Sequence, residues 1–225
     1  MTGPTQIVLY GASGHANAVR CYLEQEGLAQ VIAFIDDFRG DQGLSIQGRQ
    51  IISFETWRGR FLEHPCVMGL GNPVAKRRLA ERVIDAGGRS CSFHDRPGRA
   101  FAEAAVGIGS YVQPPSYIGP GSDLGEHVAV MAMTTIGHDV RIGSYCTICP
   151  SCTIGGQVEI EREVLLGAGC IILNGRPGRP LVVGAGATVA AGAVVTKSVA
   201  PGTTVMGNPA RPLRELARSR SGQEP

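Results

Sequence analysis

The sequence predicts an α/β N-terminal Rossmann-like domain, followed by an all-β parallel β-helix and a short C-terminal helix. Three observations lead to this prediction. Apolar strands alternate with helical segments in the first part of the chain, a strict six-residue repeat follows, and a last helical stretch closes the sequence. We expect the α/β domain at 1–96, the β-helix at 97–210 and the C-terminal helix and tail at 211–225.

The repeat begins at Val106 and continues without a slip to Ile172, with an aliphatic residue at every sixth position. Four residues after each of these as far as Leu166, the chain places a small or β-branched residue. Neither the helical period near 3.6 nor the strand period of 2 explains a strict six, whereas three short faces in each coil of a parallel β-helix do. Residues 18 apart should then stack at a strand spacing of about 4.8 Å.

Composition and charge exclude several classes of function. The 225 residues are 43% apolar, which is enough for a buried core. The formal net charge of +2 with no long basic run argues against nucleic acid as a partner. No apolar run approaches the roughly 20 residues that span a bilayer, and the N-terminus lacks a signal segment. We therefore expect a cytoplasmic protein with no membrane partner.

Seven cysteines, an odd number, fit a reducing compartment better than a disulfide framework. Cys146 and Cys149 form a CxxC that could be interpreted as a metal or redox motif. Cys146, Cys152 and Cys170, however, all occupy the small-residue position of the repeat, so packing already accounts for them. We predict structural thiols and no metal.

The alternation in the first domain predicts a small parallel sheet with helices on its faces. Its ligands should bind where the strands end, at the carboxyl edge. The predicted strands are 6–10, 31–35, 66–70 and a run near 91–93, and the predicted helices are 16–26, 54–62 and 74–86.

A glycine turn at 11–15 links the first strand to the first helix. Such a turn leaves backbone N–H groups at the positive end of the helix dipole, a ready site for phosphate. The third glycine of G-x-G-x-x-G is not matched, which weakens the case for a dinucleotide-binding oxidoreductase. An ordinary strand-to-helix turn remains the alternative.

The glycine turn, the pair Asp36-Asp37, and the segment 69–72 followed by Arg77-Arg78 together resemble the N-terminal domain of PglD/NeuD-type bacterial sugar acetyltransferases. The units 142–147 and 183–188 look like the hexapeptide signature of the left-handed β-helix acyltransferases. This resemblance implies a left-handed coil, acetyl-CoA as co-substrate, and a homotrimer with CoA between neighbouring β-helices. It also implies a pocket for a nucleotide sugar, commonly UDP-linked, at Gly11, Ser13, Gly14, His15, Asp36, Asp37, Gly71 and Asn72. A solvated loop start is the alternative for the two aspartates.

His138 is the candidate general base. It lies two residues after an inward aliphatic position, near a corner, and the resemblance implies a catalytic histidine in such a segment. A neutral imidazole, with an ordinary pKa of about 6.5, can take a proton from an attacking amine at pH 7. Asp139 is expected to orient the ring. The alternative is a surface histidine without a role, and His127, off this position, is expected to be structural.

The co-substrate site follows from the resemblance. Backbone N–H groups at Gly167, Ala168, Gly184 and Ala185 would hold the pantetheine arm and polarise the thioester carbonyl. Lys197 and Arg211 are candidates for the CoA phosphates, although a helix cap over the end of the coil is an alternative use of their segment. A loop at 174–180 interrupts the repeat, and its two arginines could meet a phosphate or only solvent.

These features predict an acetyl-CoA-dependent N-acetyltransferase acting on a nucleotide-linked 4-amino sugar, with UDP as the expected nucleotide. An O-acetyltransferase of sialic acid or another sugar shares every motif. A non-catalytic nucleotide-sugar-binding protein is the alternative from another class.

Overall fold

The computed structural model describes residues 4–93 and 104–220, with the side chains of 217–220 excepted. The chain forms two compact units, Met1–Phe93 and His94–Pro225. The predicted boundary between the two domains, at 96/97, lies outside the described residues. Among the helices of the described segments, none is long and apolar enough to cross a membrane.

The first unit is built on a five-stranded sheet with the strand order β3-β4-β2-β1-β5. Its elements are β1 Thr5–Tyr10, α1 Gly14–Gln25, β2 Ala29–Ile35, β3 Ser45–Ile46, β4 Arg49–Ile52, α2 Phe54–Arg60, β5 Cys66–Met68 and α3 Pro73–Asp85. Strand β1 pairs in parallel with both β2 and β5, so the strand order changes direction at β1. Ligands of such sheets bind at this point.

Two predictions for this sheet differ from the structure. Among the described residues, the run at 91–93 forms no strand, although Phe93 lies in a single β-bridge. The sheet is also not wholly parallel, because β3 runs antiparallel to β4. These two strands form a hairpin that the sequence did not reveal. Its turn residues Gln47 and Gly48 both have positive φ, as a type I′ turn requires, but Gln-Gly is a weaker signal than Asn-Gly.

The second unit is a parallel β-helix of short strands arranged in three sheets. Its elements are β6 Ala105–Val106, β7 Tyr111–Val112, β8 Tyr117–Ile118, β9 Asp123–Leu124, β10 Ala129–Val130, β11 Thr135–Ile136, β12 Arg141–Ile142, β13 Thr147–Ile148, β14 Thr153–Ile154, β15 Val158–Ile160, β16 Leu165–Leu166, β17 Ile171–Ile172, β18 Leu181–Val183, β19 Thr188–Val189, β20 Val194–Val195, β21 Thr204–Met206, β22 Arg211–Pro212 and α4 Leu213–Arg220. The six-residue repeat is confirmed, because each strand from β6 to β17 ends on a predicted aliphatic residue.

The register confirms the stacking of coils. Ile142 pairs with Ile160, which is 18 residues later, whereas Ile160 pairs with Val183, which is 23 residues later. The difference of five residues is the interruption predicted at 174–180, which lies between β17 and β18. Below and above this loop the aliphatic residues form one continuous core along the coil.

Each corner between β8 and β17 contains one residue with left-handed backbone. In the corner after β11 this residue is Asp139, with φ +54°, and in the coil above it is Gln157, with φ +59°. The left-handed region disfavours most residues with a side chain, so these corners depend on support from neighbouring coils. That support has the same form at both corners. The N–H of Asp139 donates to the carbonyl of Pro120 one coil below, at 2.9 Å, and the N–H of Gln157 donates to the carbonyl of His138.

The small residues of the repeat also hydrogen-bond between coils. The Ser122 hydroxyl donates to the carbonyl of Gly137 (2.9 Å) and accepts from the buried N–H of Val140 (3.0 Å). Ser110 makes the same pair of contacts with Gly125 and Val128, at 2.8 Å each. The thiol of Cys146 likewise donates to the carbonyl of Glu161. A small polar residue here therefore satisfies backbone groups at the corner of the next coil.

We expect Ser122→Ala to lower the free energy of unfolding by about 1–3 kcal/mol, because it leaves a buried N–H and a carbonyl without their hydroxyl partner. Urea unfolding followed by circular dichroism measures this. Ser151→Ala is the control, since Ser151 is an exposed corner residue, and it should change stability by less than about 0.5 kcal/mol. Equal stability of the two variants would contradict the bridging role.

Candidate active site

His138 and Asp139 form a contact at the corner between β11 and β12. The imidazole Nδ1 lies 2.7 Å from the Asp139 Oδ2, and both side chains are more than half exposed, at 57% and 54%. The hydrogen bond with His138, together with a second one from Gln157, lowers the pKa of the Asp139 carboxyl. The corner therefore presents an ionised carboxylate against one ring nitrogen and leaves the opposite edge of the ring for chemistry.

The coil above contributes two residues that sequence reasoning missed. Gln157 Nε2 donates to the Asp139 Oδ2 at 2.8 Å. A Cβ placed on Gly156 would lie 2.5 Å from the His138 Nε2, so the absence of a side chain at 156 makes room for the imidazole. Both residues were detectable, because adding the coil length of 18 to 138 and 139 gives 156 and 157.

The coil below supports the same corner. Ser122 bridges the carbonyl of Gly137 and the N–H of Val140, which are the two residues flanking the His138-Asp139 pair. The backbone of His138 is also held from above, because its carbonyl accepts from the N–H of Gln157 at 3.1 Å. The histidine thus lies on a corner that is tied to both neighbouring coils.

The predicted catalytic and co-substrate residues lie on three different edges of the β-helix. The His138 corner lies between the sheet containing β11 and the sheet containing β12. Gly167-Ala168 lies on the edge between β16 and β17, and Gly184-Ala185 on the edge between β18 and β19. Within one chain these groups do not converge.

The proposed use of the backbone N–H groups at Gly167 and Gly184 does not agree with the structure. The N–H of Gly167 donates to Val189 and that of Gly184 to Val199, as part of the ladder between coils. The N–H of Ala185 donates to the Glu161 Oε2 at 2.6 Å. Packing between coils explains why both positions are glycine, because a Cβ at either would lie 2.5 Å from a backbone nitrogen of the next coil. The carbonyl of Ala168 accepts from the N–H of Gly192.

Lys197 and Arg211 lie together. Both line a cavity of about 470 Å³ at the C-terminal end of the coil, where Arg214 and Glu215 also contribute. Lys197 follows β20 and lies on the same edge as His138, whereas Arg211 begins β22. Three cations against one carboxylate give this cavity a positive charge, which suits phosphate groups.

In the first unit, the glycine turn after β1 lies against the loop after β5. The N–H of Gly69 donates to the carbonyl of Tyr10 at 2.8 Å, and a Cβ on Gly69 would lie 2.9 Å from that of Ala16. Gly11 has φ +104°, which favours glycine. By contrast, a Cβ on Gly14 or Gly71 would meet nothing within 4 Å.

Ser13 and Asn72 are helix N-caps. Ser13 accepts from the N–H of Ala16 at the start of α1, and Asn72 accepts from the N–H of Ala75 at the start of α3. The first turns of these helices carry His15 and the buried Lys76. Burial, with a smaller contribution from the charge of Lys76, lowers the pKa of His15. Two helix N-termini and a buried cation therefore lie at the carboxyl edge of β1 and β5.

Asp36 and Asp37 make contacts within the protein. Asp36 accepts from the backbone N–H groups of Phe38 and Arg39 and from the Arg39 guanidinium at 3.0 Å. Burial opposes its ionisation, but these donors outweigh burial and lower the pKa of its carboxyl. Asp37 accepts from the Tyr10 hydroxyl and the Arg82 guanidinium, both at 2.9 Å. Both residues start the loop after β2, as the alternative interpretation has it, but their carboxylates are paired with donors of the protein.

His127 is buried at 2% exposure, and its ring stacks on Tyr145 with the centroids 5.4 Å apart. This agrees with the structural role predicted for it. Among the residues of 4–93 and 104–220, no group of three or more His, Cys, Asp or Glu side chains is arranged to hold a metal ion.

Known proteins are similar to this chain over almost its whole length. Family models for the PglD N-terminal domain and for the bacterial transferase hexapeptide repeat match residues 6–83 and 122–156. The structure of WeeI from Acinetobacter baumannii is 30% identical, covers 93% of this chain and 100% of its own, and has a TM-score of 0.79. The chain belongs to this family of hexapeptide-repeat sugar acetyltransferases.

Two further relatives extend the comparison. The acetyltransferase domain of PglB from Neisseria gonorrhoeae, in complex with acetyl coenzyme A, is 27% identical over 94% of this chain and 100% of its own, with a TM-score of 0.81. The GDP-perosamine N-acetyltransferase of Escherichia coli O157:H7 is 28% identical over 94% of this chain and 97% of its own. The left-handed β-helix and the predicted enzyme class, an acetyl-CoA-dependent acyltransferase, are thereby confirmed.

We expect Gly156→Ala to lower kcat about 10- to 100-fold, because the new Cβ must displace the imidazole and a misplacement of about 1 Å can cost 100-fold. Steady-state kinetics and a thermal unfolding curve measure this. Gly59→Ala is the matched control, since a Cβ there meets nothing within 4 Å. Unchanged kcat in Gly156→Ala would show that the ring position seen here is not the one used in catalysis.

Proposed function

We propose that this chain transfers the acetyl group of acetyl-CoA to the amino group of a nucleotide-linked amino sugar, with His138 as the general base. The observation that carries the proposal is the His138–Asp139 contact on an exposed corner of an acetyltransferase β-helix. Because the carboxylate holds Nδ1, the lone pair of the neutral ring is on Nε2, which lies beside Gly156, and there it would meet an attacking amine.

The proposed step transfers one proton through the histidine. As the amine nitrogen attacks the thioester carbonyl carbon, His138 Nε2 takes the proton from that nitrogen. A C–N bond forms, the C–S bond breaks, and the resulting imidazolium returns the proton to the departing thiolate of CoA. The carboxylate of Asp139, 2.7 Å from Nδ1, stabilises the imidazolium between these events.

The E. coli relative supports N-acetylation over O-acetylation for this chain, because that relative is a GDP-perosamine N-acetyltransferase. The resemblance seen in the sequence favours a UDP-linked 4-amino sugar, whereas this relative acts on a GDP-linked one, so both nucleotides belong in the first test. A non-catalytic binding protein is no longer a candidate, since the chain is an acetyltransferase.

The first unit is the proposed nucleotide-binding domain, with the second as the acyltransferase domain. Gly14 and Gly71 support this, because no protein contact requires glycine at either position and their backbone can be approached by a ligand. The first turns of α1 and α3, with His15, would hold the diphosphate, and the charge of the buried Lys76 would add to the positive potential there. Asp37, whose carboxylate oxygens retain further lone pairs, would meet the ribose or the base.

The chain is proposed to act as a homotrimer in the cytoplasm. The resemblance seen in the sequence implies that CoA lies between neighbouring β-helices, so the edge of a second copy would complete the site. The cavity at Lys197 and Arg211 would take the phosphates of CoA. All seven cysteines are free thiols, which fits a reducing compartment. Light scattering should give about three times the chain mass of 23.6 kDa.

The activity is tested by incubating the protein with acetyl-CoA and a panel of UDP-, GDP- and dTDP-linked amino sugars, while release of free thiol is followed. His138→Ala should lower kcat by roughly 10²- to 10⁴-fold, the usual contribution of a general base. His64→Ala is the control, because His64 lies in the other unit. Thiol release with no member of the panel, or near-normal turnover in His138→Ala, would count against the proposal.

Nucleotide binding is expected to depend on pH through His15. Its pKa is lowered in the free protein, and a bound diphosphate would stabilise the imidazolium and raise that pKa. Binding then takes up a proton, so affinity should rise as the pH falls between the two pKa values, by at most about tenfold per pH unit.

Calorimetry with a UDP-sugar, whose diphosphate does not titrate near neutrality, measures this dependence. The proton uptake follows from repeating the titration in buffers of different ionisation enthalpy. His15→Gln should remove the pH dependence. A wild-type affinity that stays flat from pH 5 to 8 would exclude contact between His15 and the diphosphate.

A further inference from the structure

Gln157 lies directly above Asp139 on the β-helix. The two residues are 18 positions apart, each is the left-handed residue of its corner, and the strands that follow them, β15 and β12, pair in register. The Gln157 Nε2 is 2.8 Å from the Asp139 Oδ2, and the same oxygen is 2.7 Å from the His138 Nδ1. One carboxylate oxygen therefore joins an amide of one coil to the imidazole of the coil below.

The chemistry of these three groups fixes where the protons lie. A carboxylate only accepts, so the amide must present its nitrogen and the imidazole must carry its proton on Nδ1. The neutral ring then has its lone pair on Nε2, the nitrogen that faces the space left by Gly156. The tautomer needed for a general base follows from the position of the Asp139 carboxylate.

The position of that carboxylate is not fixed by burial, because the Asp139 side chain is 54% exposed. An exposed aspartate can rotate about its side-chain bonds and exchange its partners for water. The donor from Gln157 selects the rotamer in which Oδ2 meets Nδ1. The backbone of the same glutamine also donates to the His138 carbonyl at 3.1 Å, so the donor and the histidine move together.

We propose that Gln157 is a positioning residue for catalysis. Its amide holds the Asp139 carboxylate against Nδ1 and thereby sets the tautomer and orientation of His138. The inference rests on the proposed role of His138 as the base. Gln157 acts on the reacting atoms only through Asp139 and His138, so its loss should affect the rate of the chemical step and leave substrate binding unchanged.

Gln157→Leu tests this, because leucine keeps most of the side-chain bulk and removes the donor. We expect kcat to fall roughly 10- to 100-fold, while the KM values for acetyl-CoA and for the sugar stay within about twofold. Nitrogen-15 NMR of histidine-labelled protein gives a readout that does not depend on activity. The His138 signals, assigned by their absence in His138→Ala, should show the Nδ1–H tautomer in the wild type and a mixture of tautomers in Gln157→Leu.

Gln113→Leu is the matched control. Gln113 is also a corner glutamine, but its side chain accepts from the N–H of Ala132 on a different edge of the coil. It should leave both kcat and the His138 tautomer unchanged.

The outcomes separate the two proposals. Near-normal turnover in His138→Ala would remove the base and with it the proposed mechanism. An inactive His138→Ala, together with a Gln157→Leu of wild-type kcat and tautomer, would overturn only the role of Gln157. An equal loss of kcat in Gln113→Leu and Gln157→Leu would assign the effect to general disturbance of the coil and would also overturn it.

Discussion

The stacking of coils at one strand spacing is the constraint on which the rest of the β-helix depends. A strand inside the β-helix, such as β11, pairs with the strands one coil below and one coil above, so its residues have neighbours fixed by position in the turn. At the corners, this close approach of backbones leaves no room for a Cβ at Gly137, which would lie 2.7 Å from a backbone nitrogen of the next coil. Corner composition is therefore set by the coil above and by the coil below.

The same constraint makes the candidate active site a property of three coils. Ser122 bridges the two ends of the corner from below, His138 and Asp139 form its exposed tip, and Gln157 holds that tip from above. An exposed side chain on an ordinary loop would have many conformations. Here the hydrogen bonds between coils order the backbone of the corner. The side chains of Asp139 and Gln157, which start from this ordered backbone, then order the imidazole at a small cost in entropy.

Much of this fold could be predicted from the sequence, because a strict period is a direct consequence of coil geometry. The pair His138-Asp139 was also predictable, since both residues lie in one segment. Gln157 was missed because it contacts Asp139 by stacking one coil above it, 18 residues later in the sequence. The N–H role of Gly167 was wrong because a glycine that lets two coils approach each other looks the same in sequence as a glycine that lets a ligand approach the backbone. The hairpin of β3 and β4 was missed because its strands are too short for an apolar pattern.

The two aspartates of the first unit show why a motif alone does not assign a role. Asp36 and Asp37 follow β2 at the edge where ligands bind, yet each carboxylate faces an arginine, Arg39 and Arg82. The Tyr10 hydroxyl, whose pKa is raised first by burial and then by its bond to Asp37, stays protonated and donates to that carboxylate. Because these charges are paired, they repel an incoming diphosphate less than bare carboxylates would. Paired aspartates are therefore compatible with an anionic ligand at the same edge, and the positive helix ends beside them favour one.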